Sequence, residues 1–205
     1  SEISLRKAIE LEPNLEAALL ELSGVLIELK RIKEALNFAE KLTKIQPNLA
    51  IAHSNLGSIY QQLGNLNHAE LSIRRAIELE PNVAISYSNL GAILKDLGKL
   101  EEAESFTRKA IAINPDLAIA NCNLGGILRD LGKLEAAAVF FRKSIKINPD
   151  LTNAYFSLST LQNISNDRIF CDQLFSESIL NNKSIKDKID IYFARANILH
   201  KEKNY

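Results

Sequence analysis

The chain has 205 residues, 46% apolar and 24% charged, which is the balance of a globular protein and carries too much apolar surface for wholesale disorder. Lys plus Arg and Asp plus Glu each number 25, so the formal net charge is zero, whereas a chain built to neutralise nucleic-acid phosphates carries a basic excess. No stretch approaches the roughly 20 apolar residues of a membrane helix, and the N-terminus lacks a basic-then-apolar signal pattern, so neither nucleic acid nor membrane is expected as a partner.

Two cysteines, Cys122 and Cys171, make no disulfide framework and no CxxC pair. They point to a reducing compartment, and a cytoplasmic location is expected. The chain has no Met, even at position 1, and reads as a processed or excised piece.

Five prolines set the organisation. Pro13, Pro47, Pro81, Pro115 and Pro149 are each 34 residues apart, followed by Asn14, Asn48, Asn82, Asp116 and Asp150. Other residues keep the same period: Leu-Gly-Asn-Leu from Leu63 returns as Leu-Gly-Lys-Leu from Leu97 and from Leu131. Such a period is the signature of stacked supersecondary units.

Residues 1–12 (SEISLRKAIELE) match residues 69–80 (AELSIRRAIELE) nearly position for position. The chain is therefore expected to open inside the second helix of a unit, with 1–15 a partial repeat. Four complete units follow at 16–49, 50–83, 84–117 and 118–151. The first is the loosest, with Ser23 and Lys30 where its neighbours have glycine.

Within 84–117, Tyr87, Leu90, Gly91 and Leu94 fall on one helical face. The run from Leu97 to Leu100 interrupts it. A second helical pattern passes through Ala103, Phe106, Ala110 and Ile113, and Pro115 closes it. Gly98 can take a positive φ at the first helix's end, as can Gly64 and Gly132. Asp116 is placed to cap the next helix. Gly57, Gly91 and Gly125 sit mid-helix, where glycine costs about 1 kcal/mol relative to Ala. That cost is tolerable if it lets paired helices approach, with Ala69, Ala103 and Ala137 as the facing residues.

After Leu151 the period fails. Residues 153–163 read as a first helix, 164–167 as a polar loop, 168–181 as a second helix ended by Asn181-Asn182, and 186–203 as another first helix. Residues 203–205 resemble the turn into a helix that does not arrive. The expected organisation is a divergent repeat at 152–188 and the truncated start of a further repeat at 189–205. Open at both ends, the sequence reads as an internal piece of a longer protein.

These residues carry a family resemblance. Tyr87, Leu90, Gly91, Leu94, Ala103, Thr107, Ala110 and Pro115 occupy the signature places of the tetratricopeptide (TPR) repeat, with Leu94 and Thr107 departing from its aromatic preference and Tyr60 and Phe141 keeping it. The resemblance is strong over residues 1–151. It implies an all-α fold: a right-handed superhelical α-solenoid of stacked antiparallel helix pairs, with first helices lining a concave groove.

Asn55, Asn89 and Asn123 recur 34 apart, each just before a Leu-Gly pair. An amide offers both donor and acceptor, so a row of them can bond the backbone of an extended peptide without reading its sequence. The array resembles that of O-GlcNAc transferases, which implies this role for the three asparagines. Duplication followed by plain solvation is the other reading, and both stay open. Lys95-Asp96 and Arg129-Asp130 recur near the ends of first helices, where they can contact peptide side chains or bond between units. Ser54, Ser88 and Cys122 stand beside the asparagines where a carboxylate clamp would need Lys.

Basic pairs at Arg6-Lys7, Arg74-Arg75, Arg108-Lys109 and Arg142-Lys143 lie towards the C-terminal halves of second helices, where the helix dipole favours cations. With no aromatic platform beside them, they read as a solvated outer face. His53, His68 and His200 are scattered, without HExxH or Cys/His spacing, and no phosphate loop is present. No catalytic group, cofactor or metal is expected.

The tail, from Asp172 to Asn181 and from Ile191 to Tyr205, resembles the segment that follows TPR arrays in bacterial, particularly cyanobacterial, sulfotransferase fusions. The leading expectation is a protein–protein interaction module holding a peptide or protein segment in its groove. The alternatives are a non-catalytic recruiting or scaffolding arm of a larger sulfotransferase- or glycosyltransferase-type enzyme, and self-association through open repeat ends.

Overall fold

The computed structural model describes residues 1–161 and 167–203. The described residues are helical, without a strand. They divide into two units, one from Ser1 to Ile113 and one from Asn114 onward.

The first unit holds α1 (Glu2–Leu11), α2 (Glu16–Glu28), α3 (Ile32–Ile45), α4 (Ala50–Gln62), α5 (Leu66–Leu79), α6 (Ala84–Asp96) and α7 (Leu100–Ile113). Pairs α2–α3, α4–α5 and α6–α7 are hairpins, and α1, α3 and α5 also pack on the first helices that follow them, α2, α4 and α6. First helices lie side by side, α2 beside α4 and α4 beside α6. Leu22, Leu26, Ala39 and Ile59 form one core cluster, against which Leu5 and Ile9 of α1 pack. One hairpin cannot bury its own apolar face; its neighbours complete the core.

The tight turns follow from backbone conformation. Gly64 and Gly98 take φ of 77° and 76° after the first helix, as does Gly132 at 75° in the second unit. Lys30 holds the same slot at φ 62°, where a Cβ is strained.

The mid-helix glycines permit close approach, but not mainly to the alanines expected. A Cβ on Gly57 would stand 2.6 Å from Cγ1 of Ile73, and one on Gly125 would stand 2.7 Å from Cδ1 of Phe141. The facing side chains are thus Ile73, Thr107 and Phe141. Ala69 and Ala103 contribute their backbone carbonyls, 3.2 Å from such a Cβ.

The second unit holds α8 (Ala118–Asp130), α9 (Leu134–Ile147), α10 (Thr152–Ser159), α11 (Arg168–Phe175), a short 3-10 helix (Glu177–Leu180) and α12 (Ile185–Lys203). Asp116 does not cap α8, which starts at Ala118 with no side-chain cap on Leu117. The asparagines ahead of the prolines act instead: Oδ1 of Asn114 accepts from the Asp116 amide at 3.1 Å, and Oδ1 of Asn148 from the Asp150 amide at 2.9 Å. Each closes a local turn across the proline.

The tail departs from the expected pattern. The helix expected over 168–181 breaks at Ser176, whose backbone is extended. Its C-terminal carbonyls are taken by Arg195, which donates to Leu174 O at 2.9 Å and Ser176 O at 3.0 Å. Asp167, expected in the loop, is the N-cap of α11 and accepts from the Phe170 amide at 3.2 Å. The rest of that loop, the end of the expected first helix at 162–163 and the expected final turn at 204–205 lie outside the described residues. Helix α12 starts at Ile185 and runs across the boundary expected between 188 and 189.

Helix α11 is only eight residues long, and α12 packs closely on α10. The two run parallel. Thr152, at the start of α10, donates to Asp187 at 3.0 Å; near the end of α10, Ser159 accepts from Asn197 at 3.1 Å and its carbonyl from Lys201 at 2.7 Å. Ile191, Ala194 and Ile198 are fully buried, while Ile189, Tyr192, Phe193 and Leu199 leave an exposed apolar stripe.

Candidate functional site

The exposed side of the first helices follows from helix periodicity. Residues four apart share a face, so Ile51 and Asn55 lie together on α4, and Ile85 and Asn89 on α6. The opposite face of α6 carries Tyr87, Leu90 and Leu94 into the core. Asn55 and Asn89 are half-buried at equivalent places on neighbouring helices, and neither amide has a partner among the described residues. Asn123 is half-buried on α8, in the second unit.

The charged pairs differ in their engagements. Gln61 of α4 donates to Asp96 of α6 at 2.9 Å, tying neighbouring first helices together. Arg129 donates to its own neighbour Asp130 at 3.1 Å, while Lys95 is half-buried near the end of α6. Cys122 is buried and Cys171 half-buried, both as thiols outside any disulfide.

The outer arginines are ion-paired, beyond the helix-dipole effect alone. Arg6 bridges Glu2 at 2.8 Å and Glu34 at 2.9 Å, and Arg31 reaches Glu2 at 2.7 Å. Sixty-eight residues on, Arg74 bridges Glu70 at 2.8 Å and Glu102 at 2.9 Å, and Lys99 reaches Glu70 at 2.8 Å. The same network thus occurs twice, two repeats apart, and links α1 to α3 and α5 to α7. Arg6 also lies over Phe38, and Arg74 over Phe106. Burial pushes the Glu70 carboxyl up, but hydrogen bonds from Lys99 and Arg74 outweigh it and hold its pKa below the usual value. Partners 28 residues away in sequence gave no local signal.

Sequence reasoning missed one further relationship. His53 and Asn121 occupy the slot that holds Tyr87 and Tyr155 in other repeats. His53 Nε2 lies 2.9 Å from the Pro47 carbonyl oxygen, and Asn121 Nδ2 donates to the Pro115 carbonyl at 3.3 Å. The same polar contact closes two proline turns. Asn121 is fully buried and its Oδ1 has no partner among the described residues.

A cavity of about 510 Å³ opens between α9 and α11, walled by Ile145, Pro149 and Phe170 with Lys146 at its edge. Arg142, also lining it, is bound to Asp167 at 2.7 Å. Among the described residues no group of three or more His, Cys, Asp or Glu is arranged to hold a metal ion. Nor is any helix there long and apolar enough to cross a membrane.

The tetratricopeptide-repeat profile matches residues 48–116 and 82–150, and a second profile of the same repeat matches 17–49. No curated protein matches the chain. Among solved structures it is similar to YrrB, described as a TPR protein with an unusual peptide-binding site, at 19% identity and TM-score 0.63, covering 99% of this chain and 100% of that one. It is similar to PilF of Pseudomonas aeruginosa at 19% identity and TM-score 0.70, covering 93% and 91%. A third likeness is TTC0263, a thermophilic TPR protein of Thermus thermophilus, at 19% identity and TM-score 0.67, covering 78% and 87%. Such identities speak for the fold, and they agree with the consecutive helix pairs seen here. With its 34-residue period, helix-turn-helix units and profile matches, this chain belongs to the tetratricopeptide-repeat family, whose arrays are protein-interaction modules.

Proposed function

We propose that the chain binds an extended peptide or protein segment along its first helices, with the amides of Asn55 and Asn89 bonding the ligand backbone in the first unit and that of Asn123 offering the same chemistry on α8 of the second. The observation that carries this is the placement of Asn55 and Asn89 at equivalent places on neighbouring helices, half-buried and without partners among the described residues. An isolated amide on a helix face needs no explanation; a pair repeated on parallel neighbours offers donors and acceptors at regular intervals to an extended backbone. The resemblance to O-GlcNAc transferase arrays supports the same role, as does the peptide-binding site named for the similar YrrB. Lys95 and Asp96 in the first unit, and Arg129 and Asp130 in the second, stand near the ends of first helices and would meet ligand side chains, with Asp96 already held by Gln61. Thiols outside any disulfide suit a reducing, cytoplasmic setting.

A peptide array probed with the full chain and with the Asn55→Ala, Asn89→Ala, Asn123→Ala variant tests this. Binding lost in the variant, with unchanged helicity and melting, is the expected result. Equal binding by both would sink the reading. The exposed stripe of Ile189, Tyr192, Phe193 and Leu199 on α12 favours a second reading, association with another copy of the chain. Sedimentation at rising concentration separates it from the first, since a monomer at high micromolar concentration would exclude it. The role of a recruiting arm in a larger sulfotransferase- or glycosyltransferase-type protein is compatible with either.

A further inference from the structure

An amide row reads backbone and leaves side-chain choice to its neighbours. In the first unit those neighbours differ from helix to helix. On α4 the face of Asn55 begins with Ile51, which is 47% exposed; on α6 the face of Asn89 begins with Ile85, 41% exposed. A β-branched apolar side chain left in water at two equivalent positions, each one turn from an unpartnered amide, is an apolar surface lacking its cover. On α2 the equivalent places are more acidic. Ala17 replaces the isoleucine, and the exposed Glu21 and Glu28 stand where α4 has Asn55 and Gln62 and α6 has Asn89 and Asp96. Further along each face come the small Gly24, Ser58 and Ala92, which leave room for a chain to lie across the helices.

We infer that the first unit selects an extended peptide with two apolar side chains three residues apart, seated on Ile51 and Ile85, and a Lys or Arg three residues further on, seated on Glu21 and Glu28. This rests on the groove reading proposed above and names the ligand chemistry for it. The spacing follows from two lengths. Packed neighbouring helices lie about 8–10 Å apart. A chain in the extended polyproline-II conformation advances about 3.1 Å per residue with three residues per turn, so roughly three residues span one helix to the next and side chains three apart face the same way. The basic residue follows from charge: Glu21 and Glu28 have no cationic partner among the described residues, and the Asp96 carboxylate at the far side is occupied by Gln61.

The test uses fluorescein-labelled nonapeptides in a serine host and fluorescence anisotropy with the full chain. The probe carries Lys, Leu and Leu at three-residue intervals, made in both chain directions because an amide row does not fix polarity. Moving one leucine so that the spacing is two should weaken the better-bound peptide about tenfold, and replacing Lys by Glu should weaken it several-fold. The Ile51→Ser, Ile85→Ser variant should abolish the spacing preference. The Glu21→Lys, Glu28→Lys variant should reverse the preference between the Lys and Glu peptides. All four positions are exposed or half-exposed, and unchanged melting would show that the fold is intact. The Asn55→Ala, Asn89→Ala variant should weaken every peptide alike. If that variant loses binding while the isoleucine and glutamate variants keep the wild-type preferences, the side-chain inference is overturned and the groove reading stands. If no peptide in either direction binds at millimolar concentration, both fall.

Discussion

A Cβ built on Gly91 would stand 2.0 Å from Oγ1 of Thr107 and 3.2 Å from the carbonyl oxygen of Ala103. Thr107 is fully buried and its hydroxyl is bound to that same carbonyl at 2.7 Å. The threonine thus fills the space a side chain on Gly91 would need, and its hydrogen bond holds it there. The slot admits Ile73 opposite Gly57 and Phe141 opposite Gly125, so the glycine is paired with whatever side chain the partner helix inserts.

Gly91→Ala should therefore destabilise the protein. Overpacking of a core contact costs about 1–3 kcal/mol, against which the better helix propensity of Ala returns about 1 kcal/mol. A 2.0 Å overlap with a buried, hydrogen-bonded atom belongs at the upper end, for a net loss of roughly 2 kcal/mol in urea unfolding. In a Thr107→Ala background the overlap with Oγ1 is gone, and the added cost of Gly91→Ala should fall below half that value. Equal costs in both backgrounds would show that the two residues are not coupled.

The repeat, the hairpins and the proline stops were legible because they depend on local chemistry: a missing N–H at Pro115, a positive φ at Gly98, apolar residues on one helical face. The Gly91–Thr107 contact was half-legible. Spacing showed which positions are small, but not which side chain on the opposite helix enters the gap. The Arg6 and Arg74 networks were hidden because their partners lie a repeat away. Glu34 and Glu102 read alone as ordinary exposed carboxylates. The break at Ser176 depends on Arg195, 19 residues later, which takes the carbonyls a continuing helix would have used. At the candidate site, Asn55 and Asn89 were marked by their spacing. The exposure of Ile51 and Ile85 was not, since an isoleucine at helical spacing reads by default as core.

The slot after the first helix of each hairpin yields a second prediction. Lys30 sits at φ 62° where Gly64 and Gly98 sit at 77° and 76°. A left-handed conformation costs an L-residue with a Cβ roughly 1–2 kcal/mol, and glycine avoids this at the price of a freer unfolded chain. Lys30 is exposed. Lys30→Gly should therefore raise stability by about 0.5–1 kcal/mol, read as a higher urea midpoint with unchanged slope. Lys30→Ala, which keeps the Cβ, should gain little. If the alanine variant gains as much as the glycine variant, the effect is not backbone strain.

The packing of α12 on α10 should depend on pH through Asp187. The Ser184 hydroxyl, at 2.6 Å, and then the Thr152 hydroxyl, at 3.0 Å, donate to its carboxylate and hold its pKa below the ordinary 3.8. An acid whose pKa is depressed by folding binds protons more readily in the unfolded chain. Its stabilisation is therefore present above pH 3.8 and is lost as pH falls through the lower folded value. The group is largely solvated, so its contribution is below about 1 kcal/mol. Asp187→Asn removes the charge but keeps a carbonyl acceptor for one hydroxyl. Wild type should be the more stable of the two near neutral pH, and the gap should close as the solution is acidified below pH 3.8. Urea unfolding of both proteins across that range measures it. A gap that stays constant would mean that the Asp187 charge does not hold α12 to α10, leaving the buried Ile191, Ala194 and Ile198 to do so.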